Sequence, residues 1–176
     1  MFLTNSNKID DWFYLIPAAL FIDLIAIFLE KYPGKDPIFN VKNLDAWYNN
    51  FGLSAVASDV LSILIGLMVS RYIYTYLNLK NPFLFLLILV IFQLFHDLFF
   101  YTQVILRMPE GHNQMIDVFK AYGDENGAKV LVADAMLMIS SAVVASLLKS
   151  SGDQVTIGTL LITLYSITYV IYTRQS

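Results

Sequence analysis

Cysteine is absent from the sequence and histidine nearly so, with only His96 and His112. Without cysteine there can be no disulfide, no thiolate zinc site and no cysteine nucleophile, and the redox compartment cannot be read. Charge is also scarce. Only 14% of residues are Asp, Glu, Lys or Arg, against about a quarter in an ordinary soluble domain. The net charge is −3 and the basic residues never form a run, which argues against a nucleic-acid partner. Neither a Gly-x-Ser-x-Gly motif nor a glycine-rich phosphate loop occurs, so the usual signatures of acyl transfer and nucleotide binding are missing. What is abundant is apolar: 57% of the 176 residues are hydrophobic and 15% aromatic. That balance makes the lipid bilayer the expected solvent and partner, and the length allows one compact domain.

Five apolar stretches, at 12–29, 53–77, 83–106, 130–148 and 155–172, are long enough to cross about 30 Å of hydrocarbon at about 1.5 Å per residue. The first reads as a retained span, since no basic region precedes it and Pro17 and Asp23 interrupt it without a small-residue cleavage site. Trp12 and Tyr14, like Tyr72, Tyr74 and Tyr76, fall where interfacial aromatic belts sit. Ser54, Ala55, Ser58, Ser62 and Gly66 give the second span a small face for a neighbouring helix. Arg71 is near enough to the end of that span to snorkel to the interface.

Two long polar connections lie on one side of the membrane, here termed side B. Tyr32-Pro33-Gly34 and Asp36-Pro37 interrupt the first, and Met108-Pro109-Glu110-Gly111 turns the second. Leu44, Trp47, Tyr48 and Phe51 recur at helical spacing in the first, and Met115, Ile116, Phe119 and Tyr122 in the second. They predict surface helices over 43–51 and 113–122, with Asp45 and Asp117 as caps. The expected fold class is an all-α polytopic membrane bundle of five transmembrane helices. Lys31, Lys35, Lys42, Arg107, Lys120, Lys129 and Arg174 on side B outnumber Lys8, Arg71, Lys80 and Lys149 on side A, which favours a cytoplasmic side B with the N-terminus outside.

The chain also echoes itself. Ala19-Leu20-Phe21-Ile22-Asp23-Leu24 aligns with Gln93-Leu94-Phe95-His96-Asp97-Leu98, and Ser58-Asp59-Val60-Leu61 with Ala133-Asp134-Ala135-Met136. Each unit reads span, turn, surface helix, span, which predicts a 2+2 duplication followed by one further helix.

The duplication sets depth. At the helical rise, Asp23 and Asp59 lie about 9 Å below the side-B surface, Asp97 about 14 Å and Asp134 about 6 Å. Four carboxylates on four helices therefore share one leaflet, with His96 beside them and His112 in a connection that could fold over them. Ionised carboxylates crowded in low dielectric repel one another, so the group must hold protons or bind a cation. Carboxylates with imidazole suit a divalent metal ion as cofactor, and Asp23, Asp59, His96, Asp97, Asp134 and His112 are the candidate ligands. The competing reading makes Asp59 and Asp134 first-turn carboxylates bonding helix N-termini or serines, with Asp23 and Asp97 holding helices in register. His96 would then be a packing residue.

The run Phe92–Tyr101, with Pro109-Glu110-Gly111-His112-Asn113, Ile116-Asp117 and Ala133-Asp134, resembles uncharacterised small multi-span membrane proteins encoded by large and giant DNA viruses. The resemblance covers roughly 59–146. It implies an integral protein of a virion's internal membrane or a host membrane, and it carries no catalytic assignment. Three functions are thus expected to compete. The first is a transporter or channel with a proton- or cation-binding site, the second a structural component of a viral membrane, and the third a metal- or acid/base-dependent lipid-modifying enzyme. A homo-oligomer is a further candidate assembly.

Overall fold

Backbone amides in an apolar solvent must bond internally, and for a chain of this composition the helix is the direct solution. The computed structural model describes residues 2–32 and 42–173. Among them are seven α-helices and no strand. They are α1 (Trp12–Lys31), α2 (Lys42–Phe51), α3 (Leu53–Tyr76), α4 (Pro82–Phe100), α5 (Gln114–Asn126), α6 (Lys129–Ser151) and α7 (Asp153–Val170). A 3-10 turn, Ile9–Asp11, leads into α1, and a π-helical turn, Tyr101–Ile105, extends α4. The expected turn at Pro33-Gly34, the Asp36-Pro37 break, and Lys35 and Arg174 of the charge count lie outside the described residues.

Four of these segments, Ile9–Lys31, Leu53–Tyr76, Pro82–Ile105 and Lys129–Ser151, are long and apolar enough to cross a membrane. Helix α7 is shorter and opens on Asp153 and Gln154. It nevertheless runs beside α1 in the same direction. Tyr14, at the start of α1, donates to Asp153 Oδ1 at 2.8 Å, while Lys31 Nζ, at its end, donates to the Thr173 carbonyl at 3.1 Å.

Local sequence explains the breaks. Asn81 Oδ1 accepts from the Phe83 amide with Pro82 in the first turn, and Asn113 Oδ1 accepts from the Met115 and Ile116 amides. Asn113 thereby takes the capping role expected of Asp117, whose carboxylate instead accepts from the Gly111 amide and closes the preceding turn. Gly52 joins α2 to α3 at φ 52°, ψ −128°, and Gly127 follows α5 at φ 51°, ψ −130°. Both conformations fall in a region that side chains disfavour.

Small residues let the helices approach. Ala18, Ala19, Ala55, Ala142 and Ala145 are buried, and a Cβ on Gly66 would collide with the Met138 side chain. The face of α3 is rotated from the expected one: Ser54 and Ser58 are exposed, whereas Ala55, Gly66 and Ser70 are buried.

Arg71 does not snorkel. It is buried beneath the N-terminal segment, where it donates to the Asn5 and Lys8 carbonyls and to Asp11 Oδ2, the last at 3.0 Å. Asp11 also accepts from Lys149 and so ties α1, α3 and α6 together at side A. Removing one member of a buried pair strands its partner, at a cost of about 3–5 kcal/mol. Asp11→Ala should therefore destabilise the folded protein by about 3 kcal/mol in a reversible unfolding titration in micelles. Lys149, 40% exposed, should tolerate Lys149→Met at about 1 kcal/mol or less. Equal losses for the two variants would contradict this reading.

Candidate functional site

At the side-B end, α2 and α5 pack on each other, with the Trp47 and Phe119 ring centroids 4.5 Å apart. Beneath them α1, α3, α4 and α6 each contribute one carboxylate to a common layer.

Asp23 of α1 is 1% exposed, and neither of its oxygens has a hydrogen-bond partner among the described residues. The carboxylate facing it is Asp59 of α3. Asp59 Oδ2 accepts from Trp47 Nε1 and from the Tyr48 hydroxyl, each at 3.0 Å, so α2 is fastened to α3 through this acid. Asp97 Oδ1 accepts from Gln93 Nε2 at 2.7 Å and lies 3.2 Å from His96 Nδ1. Its Oδ2 is buried, and the Asp134 carboxyl is a hydrogen-bond partner of Asp97. Across the α4–α6 contact Asp97 faces Asp134, which also lies near Asp59. The four acids therefore form two facing pairs joined through Asp59.

The helix-terminus reading of Asp59 and Asp134 does not describe this geometry. Neither α3 nor α6 has a side-chain cap. Asp59 is held by two side chains, and Asp134 faces other acids. The other sequence candidates lie differently. His96 sits on the flank of α4, its side chain 38% exposed, with Phe92 on one side and the nearly parallel Phe100 ring, 6.0 Å away, on the other. Among the described residues it touches the layer through Asp97. His112 is exposed in the turn before α5. Among the described residues, no three His, Asp or Glu side chains converge closely enough to hold one metal ion.

Sequence reasoning missed three participants. Glu30, assigned to the connection, is buried in the last turn of α1. Its seven-residue spacing from Asp23 puts both on one face, a signal that was present in the sequence. Tyr48 and Tyr122, read only as parts of apolar stripes, bring their hydroxyls over the acids. Burial, then Asp59 and Asp23, pushes the Tyr48 phenol well up from its usual value. Burial, then Asp134, Glu30 and Asp59, does the same for Tyr122. Both therefore stay protonated, and Tyr48 donates to Asp59. Asp45, expected as a cap, instead pairs with Lys31 at 3.1 Å and accepts from Asn49.

No protein-family model, curated protein or solved structure matches the chain.

A phenol whose folded value is raised leaves stability intact below the unfolded value of 10.0, and that stability is lost as pH climbs through the folded value. Unfolding free energy should thus fall as pH rises above about 10. Tyr48→Phe should flatten that fall. Identical slopes for Tyr48→Phe and wild type in chemical denaturation would contradict the Tyr48 environment described here.

Proposed function

We propose that the protein is a five-span, internally duplicated integral membrane protein whose side-B acid layer binds and releases protons in proton transport. The observation that carries this reading is Asp23. It is almost fully buried, both of its oxygens lack partners among the described residues, and its facing charge is another carboxylate. A fixed pair of charges is too costly in such a place, whereas a shared, exchangeable proton is not. Protons are favoured over a divalent cation because, among the described residues, the carboxylates meet in pairs.

The duplication is supported by element order, long–short–long helices in α1–α3 and again in α4–α6. Exchanging α1 with α4, α2 with α5 and α3 with α6 also maps the inter-helix contacts onto one another: α1–α6 onto α3–α4, α1–α3 onto α4–α6, and α2–α3 onto α5–α6. Gly52 and Gly127 share one backbone conformation at matching positions, seven residues before Asp59 and Asp134. The fifth span is supported by α7 reaching both ends of α1.

In liposomes the purified full chain should carry protons above the level of empty vesicles, and Asp23→Asn and Asp97→Asn should each lower the flux roughly tenfold or more. Metal analysis of the same preparation should find less than one bound ion per chain. Stoichiometric metal that is lost with Asp97→Asn would replace the proton reading with a metal site. Absence of flux, together with normal assembly of Asp97→Asn in particles, would favour the structural viral component that the sequence resemblance implies.

A further inference from the structure

We propose that α3, α4 and α6 enclose a file of water molecules leading from the Asp97–Asp134 pair toward Arg71, with the Met138 side chain as its plug. The proposal rests on the proton-carrying reading of the acid layer and supplies that reading with a route.

Three buried polar atoms lack partners among the described residues along these three mutually packed helices: Ser141 Oγ, Ser70 Oγ and Arg71 Nε. Ser70 and Ser141 are both fully buried. A helical serine ordinarily bonds a carbonyl of the preceding turn, as Ser146 does to Ala142 and Ser151 to Leu147. Ser70 and Ser141 do not, which leaves their hydroxyls for another partner. Buried polar groups of this kind are commonly satisfied by internal water.

Their placement is serial. Ser141 follows Asp134 by seven residues on one face of α6, about 10 Å nearer side A. Ser70 follows Gly66 by four residues on α3 and precedes Arg71. Between the acids and the serines, Gln93 Oε1 lies 3.7 Å from where a Gly66 Cβ would be, and Met138 fills the same spot. Met138 is an unbranched, adaptable side chain, placed on α6 one turn past Asp134, so its rotation opens or closes the file. At the side-A end the Arg71 guanidinium is paired with Asp11, which also takes Lys149, so the file does not end on an isolated cation. When a proton leaves Asp97, its carboxyl O–H bond breaks and a new O–H bond forms on the adjacent water. That water passes a different proton onward, and the carboxylate is reloaded from the side-B aqueous phase.

Two measurements on the full chain in liposomes test this. In hydroxyl-radical footprinting, radicals generated from internal water should oxidise the buried Met138, and Ser70→Ala/Ser141→Ala should reduce that oxidation severalfold. In proton-flux assays the double variant should fall roughly tenfold, while Met138→Ala should rise severalfold, as expected for removal of an apolar constriction. Met138 left unoxidised, or oxidised equally in wild type and the double variant, would overturn the water file whatever the flux. Flux that is lost in Asp97→Asn but unchanged in the double variant would overturn the file as the route and leave the acid layer's role standing. Strong Met138 labelling in a protein with no flux would instead overturn the proton-carrying reading and retain the file.

Discussion

The constraint on which the side-B half depends is the cost of crowding carboxylates where solvent cannot screen them. Asp23, Asp59, Asp97 and Asp134 come from four different helices, and each is met by another acid, a neutral donor or both. Trp47 and Tyr48 hold Asp59, Gln93 holds Asp97, and Tyr122 lies over Asp134. Packing α2 against α5 puts Trp47, Tyr48 and Tyr122 beside the acids, so the two short helices cover the site as well as connecting the long ones. Lys31 reinforces that cover by joining α1 to Asp45, Asn49 and Thr173.

The two ends of the bundle solve the problem of buried charge in opposite ways. At side A the acid is paired: Asp11 lies between Arg71 and Lys149, and the N-terminal segment folds down so that its Asn5 and Lys8 carbonyls accept from the same guanidinium. At side B the acids face one another. A paired charge is fixed in place, and a facing carboxyl pair can trade a proton. The contrast within one small chain is why the side-B layer is read as working and the side-A cluster as holding helices together. Between them lies an apolar centre that includes Leu67, Leu89 and Met138.

Much of this was legible in the sequence, for physical reasons. Apolar length marks the long helices, and the spacing of Leu44, Trp47, Tyr48 and Phe51 marks a short one, because those signals are local. The expectation that Asp23, Asp59, Asp97 and Asp134 share a depth came from counting residues from helix ends, and the fold brings these four together. Rotation about each helix axis was not legible. Counting gives height and not azimuth, which is why His96, adjacent to Asp97 in sequence, points to the flank, and why Ser54 and Ser58 are exposed. Contacts that depend on a folded-back terminus, such as Arg71 with Asp11, leave no periodic trace. The glycines at 52 and 127 were visible as letters, and their shared role emerged only from their backbone angles.

The central claim is that the acid layer holds exchangeable protons, and the most direct test is infrared spectroscopy of the full chain in lipid at neutral pH. The account predicts a protonated-carboxyl C=O stretch that shifts in heavy water and loses intensity in Asp23→Asn. A spectrum containing only ionised carboxylate, unchanged by that substitution, would contradict it.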